Sequence, residues 1–330
     1  MRILKIISLI FTALILLFIS IFAVLWIFNP FSKSIIVNDP APNGHRIEID
    51  DLLANYYPVE SSKKRPAILL LGGSEGGIGP AISKMALELQ KEGFAALSLS
   101  YFGAPGQSKT LEHIPLERFD QAIDWLASQP NIDSDRLGVM GISKGAEAAL
   151  IIASRRPNLR ATVAAMPSHV AWQGIDPNLL KQIMDPPGGS WSANDEPIPY
   201  LPYVREYVSS PLELYIKSLE TLPEHPDAII AVKNIKADVL LICGEMDSLW
   251  PSCDMARQLE IRAHNLQGPE IQILAFDDAG HAGVGLPLEL GSPNFDRLGS
   301  LGGTPEANNR ARRDGWLVII EFFRNTFLEP

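Results

Sequence analysis

From residue 6 to residue 28 the chain reads IISLIFTALILLFISIFAVLWIF, an apolar run without a charge. Wound as a helix at about 1.5 Å per residue, a run of this length crosses a hydrocarbon layer of about 30 Å. A helix buried in a soluble core would keep a polar stripe, and only Ser8, Thr12 and Ser20 interrupt this one. A cleaved export signal has a shorter apolar stretch, about 7–15 residues, and small residues at its cut site. The FNPFSKS that follows lacks that small-residue pattern. The pattern favours an uncleaved single-pass anchor over residues 1–30. Arg2 and Lys5 precede the run and only Lys33 follows closely, which favours a cytoplasmic N-terminus with the remainder of the chain outside.

Residues 31–64 read as a linker with short lead-in strands around RIEID and LLANYYPV. From 65 to 330 apolar runs alternate with helical periods, the signature of βα units on a mostly parallel sheet. PAILLLGG, AALSLSYF, RLGVMGIS, LRATVAAM, ADVLLICG and EIQILAF are the strands. Between them residues 80–92, 115–128, KGAEAALIIASRR and 252–265 carry helical periods, with Leu116, Phe119, Ile123 and Leu126 on one apolar face. A last helix of about twenty residues buries Trp316, Ile319, Ile320 and Phe323. The alternation breaks at 168–232, which holds nine of the 26 prolines and no sustained period. That composition excludes regular sheet or a long helix and suits an irregular insertion, either a lid or a passive excursion.

Composition narrows the classes. With 46% hydrophobic and 20% charged residues, the 330-residue chain fits a globular fold with one large core. The net charge of −10 offers no basic face for nucleic acid, and Lys63-Lys64-Arg65 reads as a solvated loop. Cys243 and Cys253 are too few for a disulfide framework or a four-cysteine zinc site. Two unpaired buried thiols are the favoured reading, a single bridge in an oxidising compartment the alternative. No H-E-x-x-H or C-x-x-C spacing occurs, so neither a metal nor another cofactor is expected.

Gly141-Ile142-Ser143-Lys144-Gly145 has the form G-x-S-x-G. The spacing alone is a weak signal, since a serine capping a glycine-rich turn looks the same. Its context is stronger: an apolar strand runs into it and an alanine-rich helix runs out, as at the nucleophile elbow of α/β-hydrolases. A serine hydroxyl attacks only when a base takes its proton. In that fold the order is Ser, acid, His. Of six histidines, only His281 directly follows the last strand. The acid belongs after the preceding strand, at CGEMD; Asp247 is preferred to Glu245 because it lies farther beyond the strand end. Asp277 and Asp278 read as turn residues. Oxyanion donors fall at the backbone N–H of Lys144 and at Gly73 or Ser74 in LGGSEGG. Glu75 either touches substrate or braces that loop. The glycine loop lacks the P-loop ending and the G-x-G-x-x-G spacing, which argues against a nucleotide.

LGGSEGG, YFGAPG, IPLERFDQAIDWL, GISKGAEAAL, PSHVAWQG, CGEMDSLWPS, AGH and GGTPEANNRARRDGW together resemble the C-terminal catalytic domain of acyl-CoA thioester hydrolases and bile acid-CoA:amino acid N-acyltransferases. The resemblance spans about 65–328. It implies Ser143, Asp247 and His281 as a triad, and the serine resembles the thioesterase branch rather than the cysteine of many N-acyltransferases. The expected substrate is a small acyl thioester, acyl-CoA included, or an ester. Fuller family members carry an immunoglobulin-like domain where this chain has the apolar run and lead-in strands. An outward-facing domain would also miss the cytosolic acyl-CoA pool. A carboxylesterase, an amino-acid acyltransferase and an inert membrane-anchored binding protein are the alternatives.

Overall fold

The computed structural model describes residues 2–29 and 35–328. Part of the expected linker, including Lys33, lies outside them. Helix α1 (Arg2–Phe28) is followed by β1 (His45–Ile49) and β2 (Leu52–Tyr57). Then come β3 (Arg65–Leu71), α2 (Pro80–Lys91), β4 (Ala95–Ser100), β5 (Ile114–Pro115), α3 (Leu116–Ala127), β6 (Ile132–Ile142), α4 (Lys144–Arg155) and β7 (Leu159–Ala165). The insertion holds α5 (Leu179–Met184), β8 (Trp191–Ala193), β9 (Glu196–Pro197) and α6 (Pro211–Glu220). The chain closes with β10 (Asp238–Gly244), α7 (Ser252–Asn265), β11 (Ile271–Phe276) and α8 (Pro305–Leu328).

Eight strands form one sheet in the order β1-β2-β4-β3-β6-β7-β10-β11. The two lead-in strands make its antiparallel end, β1 on β2 and β2 on β4, and the remaining pairs are parallel. Both faces are covered. Ala67, Leu69 and Leu71 of β3 join one core cluster while Ile68 and Leu70 join the other. This is why the strand reads as a continuous apolar run rather than an alternating one. Helices α3, α4 and α7 contribute to the first cluster, and α2 and α8 to the second. On α8 the residues expected to be buried are buried, and Phe323 and Phe327 close over Gly138 of β6.

Register decides where the loops emerge. Leu71 pairs with Gly141, Ile142 with Ala165, Ala165 with Ile242 and Gly244 with Phe276. The carboxyl ends of β3, β6, β7, β10 and β11 therefore share one edge, where open α/β sheets bind their ligands.

The insertion is more regular than its prolines suggest. Helix α6 runs for ten residues, with Ser210 accepting the N–H of Glu213 and Pro211 at its first position. That serine–proline start is a helix signal that the missing periodicity obscured. Strands β8 and β9 make a small second sheet with β5.

Candidate active site

Ser143 sits between β6 and α4 with φ 56° and ψ −119°, a conformation strained for a residue with a side chain. Its neighbours explain how the turn closes. A Cβ on Gly141 would overlap the carbonyl of Gly145, and one on Gly145 would overlap the carbonyl of Gly72. Only glycine fits at either place. The turn is pinned to the sheet by Ser143 N–H, which donates to Ala165 O at 2.9 Å. The Ser143 carbonyl accepts from the N–H groups of Ala146 and Glu147, starting α4.

Asp247 and His281 meet across two loops of the same edge. His281 Nδ1 lies 2.8 Å from Asp247 Oδ2, with the residues 8% and 5% exposed. Asp247 Oδ1 accepts the N–H groups of Leu249 at 2.9 Å and Trp250 at 3.3 Å. These bonds hold the carboxylate while its other oxygen faces the imidazole. Trp250 packs edge-on against the His281 ring at 5.7 Å. The competitors point elsewhere: Glu245 pairs with Arg257 and Asp278 with Arg310. The histidine loop rests on the start of α8. Asn308 is fully buried; its Oδ1 accepts Gly280 N–H at 2.7 Å, and its amide donates to Leu298 O and Gly302 O. His281 N–H donates to Leu301 O. The GGTPEANN motif thus supports the histidine, a role its sequence did not reveal.

The loop after β3 approaches the serine: a Cβ on Gly73 would lie 3.4 Å from that of Ser143. The Tyr101 hydroxyl lies 2.7 Å from Gly72 O and 2.8 Å from Gly73 O and shares its proton between them. Burial, with Glu75 and Glu147 nearby, pushes that phenol well above its ordinary range, so it stays a donor. Because each trans peptide sets C=O and N–H on opposite sides, the amides of Gly73 and Ser74 turn away from Tyr101. The Glu75 carboxylate curls back over Gly72 and Gly73 of its own loop.

Two features correct the sequence reading or lie beyond it. Cys243 and Cys253 are not free thiols; they form a disulfide. The turn from β10 into α7 brings their Cα atoms to 5.0 Å, within bridging range, and the bridge closes the loop carrying Asp247. Lys144, noted only for its backbone N–H, also buries its side chain. Nζ lies 2.7 Å from Glu147 Oε2 and 2.8 Å from Ser190 Oγ, against the Trp191 ring. Glu147 Oε1 accepts Trp172 N–H and Trp191 Nε1–H. Burial pushes the lysine down and the carboxylate up, while their pairing opposes both shifts. The helix that begins at Ser143 is therefore latched to the insertion through an ion pair. A lysine and a glutamate three apart on an alanine-rich helix was the available signal.

Among known proteins, the family model described as BAAT / Acyl-CoA thioester hydrolase C terminal matches residues 114–329. Acyl-coenzyme A thioesterase 2, mitochondrial, of Rattus norvegicus is 26% identical over 299 residues, covering 86% of this chain and 60% of that protein. Acyl-coenzyme A thioesterase 1 of Homo sapiens is 27% identical over 274 residues, covering 78% and 59%. The chain thus spans about 60% of the length of these relatives. A puromycin-hydrolyzing peptidase of Mycobacterium tuberculosis superposes with a TM-score of 0.58 at 13% identity, covering 86% of this chain and 40% of that one. Pyrococcus horikoshii acylaminoacyl peptidase gives 0.56 at 17%, covering 88% and 42%. Both likenesses concern the α/β-hydrolase fold.

Proposed function

The chain belongs to the BAAT / acyl-CoA thioester hydrolase C-terminal family, and from that premise we propose that it hydrolyses acyl thioesters or esters through an acyl-enzyme on Ser143. The observation that carries the reading is the buried 2.8 Å bond from His281 Nδ1 to Asp247, on the same sheet edge as the strained Ser143. With Nδ1–H donated to the carboxylate, Nε2 keeps the lone pair that takes the serine proton. Ser143 Oγ then bonds to the acyl carbon, and its carbonyl oxygen gains the charge. The backbone N–H of Lys144 and that of Gly73 or Ser74 are the donors for it. Collapse expels the thiolate or alkoxide, which receives the proton from His281. Water, deprotonated by the same imidazole, releases the acid and restores the serine. Residues 65–330 form the catalytic unit, with 168–232 as its cover.

Helix α1 is read as a membrane anchor: Leu4–Ile27 has a mean hydropathy of 2.9 and none of it is buried. The disulfide favours an oxidising compartment for the catalytic unit, and with it a substrate outside the acyl-CoA pool. Oxygen esters are the second reading on that ground. The experiment is labelling of the full chain with a fluorophosphonate, alone and as Ser143→Ala. It is run beside hydrolysis of an acyl-CoA series and simple esters, with and without glycine or taurine. Labelling that persists in Ser143→Ala would sink the nucleophile assignment; acyl-glycine or acyl-taurine as the main product would make the enzyme a transferase.

A further inference from the structure

Segment 174–188 leaves the body of the insertion and returns at a clasp, where Gly174 N–H donates to Gly188 O at 2.6 Å and the two ends also bond to Leu111 and Glu112. Just outside that clasp, Trp172 N–H bonds to Glu147 and Ser190 Oγ to Lys144. The excursion is therefore anchored beside Ser143. It carries α5, which begins where α1 ends. Asn178 Oδ1 accepts the N–H groups of Leu180 and Lys181, capping α5. The amide of the same side chain donates to Leu25 O at 2.8 Å and Trp26 O at 3.1 Å, in the last turns of α1. Asn29 Nδ2 adds a bond to Pro177 O. One buried asparagine joins the end of the apolar helix to the start of the short one.

No residue of α5 is buried, and Leu179, Ile183 and Met184 are 70%, 67% and 60% exposed. Leu179 and Ile183 stand one turn apart on one face. Facing water, this cluster has no partner among the described residues. Its position supplies one. A 24-residue apolar helix extends about 36 Å, so its final turns reach the level of the lipid headgroups. Trp26 suits that level, where tryptophan is enriched. A short helix fastened there by two backbone carbonyls lies within about 5–10 Å of the acyl-chain boundary, the depth at which interfacial helices bury their apolar faces.

We infer that α5 rests in the bilayer, with Leu179, Ile183 and Met184 among the acyl chains, holding the cover of the site against the membrane so that the enzyme draws its acyl ester or thioester from the lipid phase. The inference rests on the reading of α1 as an anchor. Among the described residues there are no free cysteines, so an introduced thiol is labelled cleanly. Full-length Leu179→Cys and Ile183→Cys are labelled with an environment-sensitive fluorophore and reconstituted in phosphatidylcholine–phosphatidylglycerol vesicles. Leu14→Cys, within α1, and Glu260→Cys, exposed on α7, are the references. The labels at 179 and 183 are expected to be quenched by shallow brominated lipid and protected from aqueous iodide, unlike that at 260. Iodide quenching at 179 and 183 equal to that at 260, with the label at 14 still quenched by lipid, overturns the inference and leaves the anchor standing. Iodide access at 14 as well overturns the anchor and the inference with it. In Leu179→Ser/Ile183→Ser, the ratio of hydrolysis of a long-chain ester in vesicles to that of a soluble short-chain ester should fall about tenfold; an unchanged ratio counts against substrate entry from the lipid phase.

Discussion

Asp247 divides its carboxylate between two tasks, one oxygen on backbone amides and one on His281. In Asp247→Asn the amides remain satisfied but the imidazole loses its acceptor and its charge partner. kcat should therefore fall by about 10⁴, while Glu245→Gln, whose carboxylate serves Arg257, changes it little. Ser143→Ala and His281→Ala should each cost several powers of ten, and the double variant about the same, because the groups act as one unit. A steady-state comparison in which Glu245→Gln does the greater damage would reverse the choice of acid. His169 yields a second prediction. Burial and the nearby Arg262 push its imidazole down to about 4, and its Nδ1 has no partner among the described residues. An unfolded histidine binds a proton below about pH 6.5. Between there and pH 4 the unfolded state holds the extra proton, so stability is full above 6.5 and drains as the pH falls. The loss by pH 4 is about 3 kcal/mol. Chemical denaturation at a series of pH values should show that slope, and His169→Phe should flatten it. A wild-type slope no steeper than the variant's would contradict the burial argument.

At the scale of elements, α4 does more than follow the turn at Ser143. Its Lys144–Glu147 pair holds Ser190, Trp172 and Trp191, three residues of the insertion, against the sheet. Removing one partner leaves the other charge buried alone, which costs about 3–5 kcal/mol. Lys144→Met should therefore lower both stability and activity, and Lys144→Met/Glu147→Gln should regain most of the stability, since a buried pair is replaced without an orphan charge. Denaturation midpoints of the three proteins decide this; a double variant as unstable as the single one would mean that the pair matters through its hydrogen bonds. Helix α6 illustrates a different limit. Its serine cap and proline start are local signals, yet its Tyr215 and Leu219 pack with Trp172, Tyr203 and Trp250 rather than on the sheet. A helix supported by so irregular a neighbourhood needs no long period.

For the whole molecule, full-length protein should sediment with membranes and resist carbonate extraction. In sealed cells, a membrane-impermeant thiol reagent should modify Glu260→Cys, exposed on α7, whereas Cys243 and Cys253 are buried; lack of modification, with labelling restored on lysis, would place the catalytic unit inside. The chain alone determined the apolar span and the alternation of strand and helix, and it suggested the elbow around Ser143 and the order Ser, acid, His, because each is written in local period or spacing. It narrowed the acid to two candidates and left both cysteines unpaired. Tertiary structure decided what depends on register. The parallel pairing of β10 with β7 and β11 brings residues 247 and 281 together on one edge. Likewise, the turn into α7, not the ten-residue spacing, sets Cys253 beside Cys243. The bond of the buried lysine to Ser190, the Asn308 support and the contact of α5 with the end of α1 join residues 46, 28 and about 150 positions apart. No period in a sequence records which distant backbone groups will need a partner; folding sets that when it removes them from water.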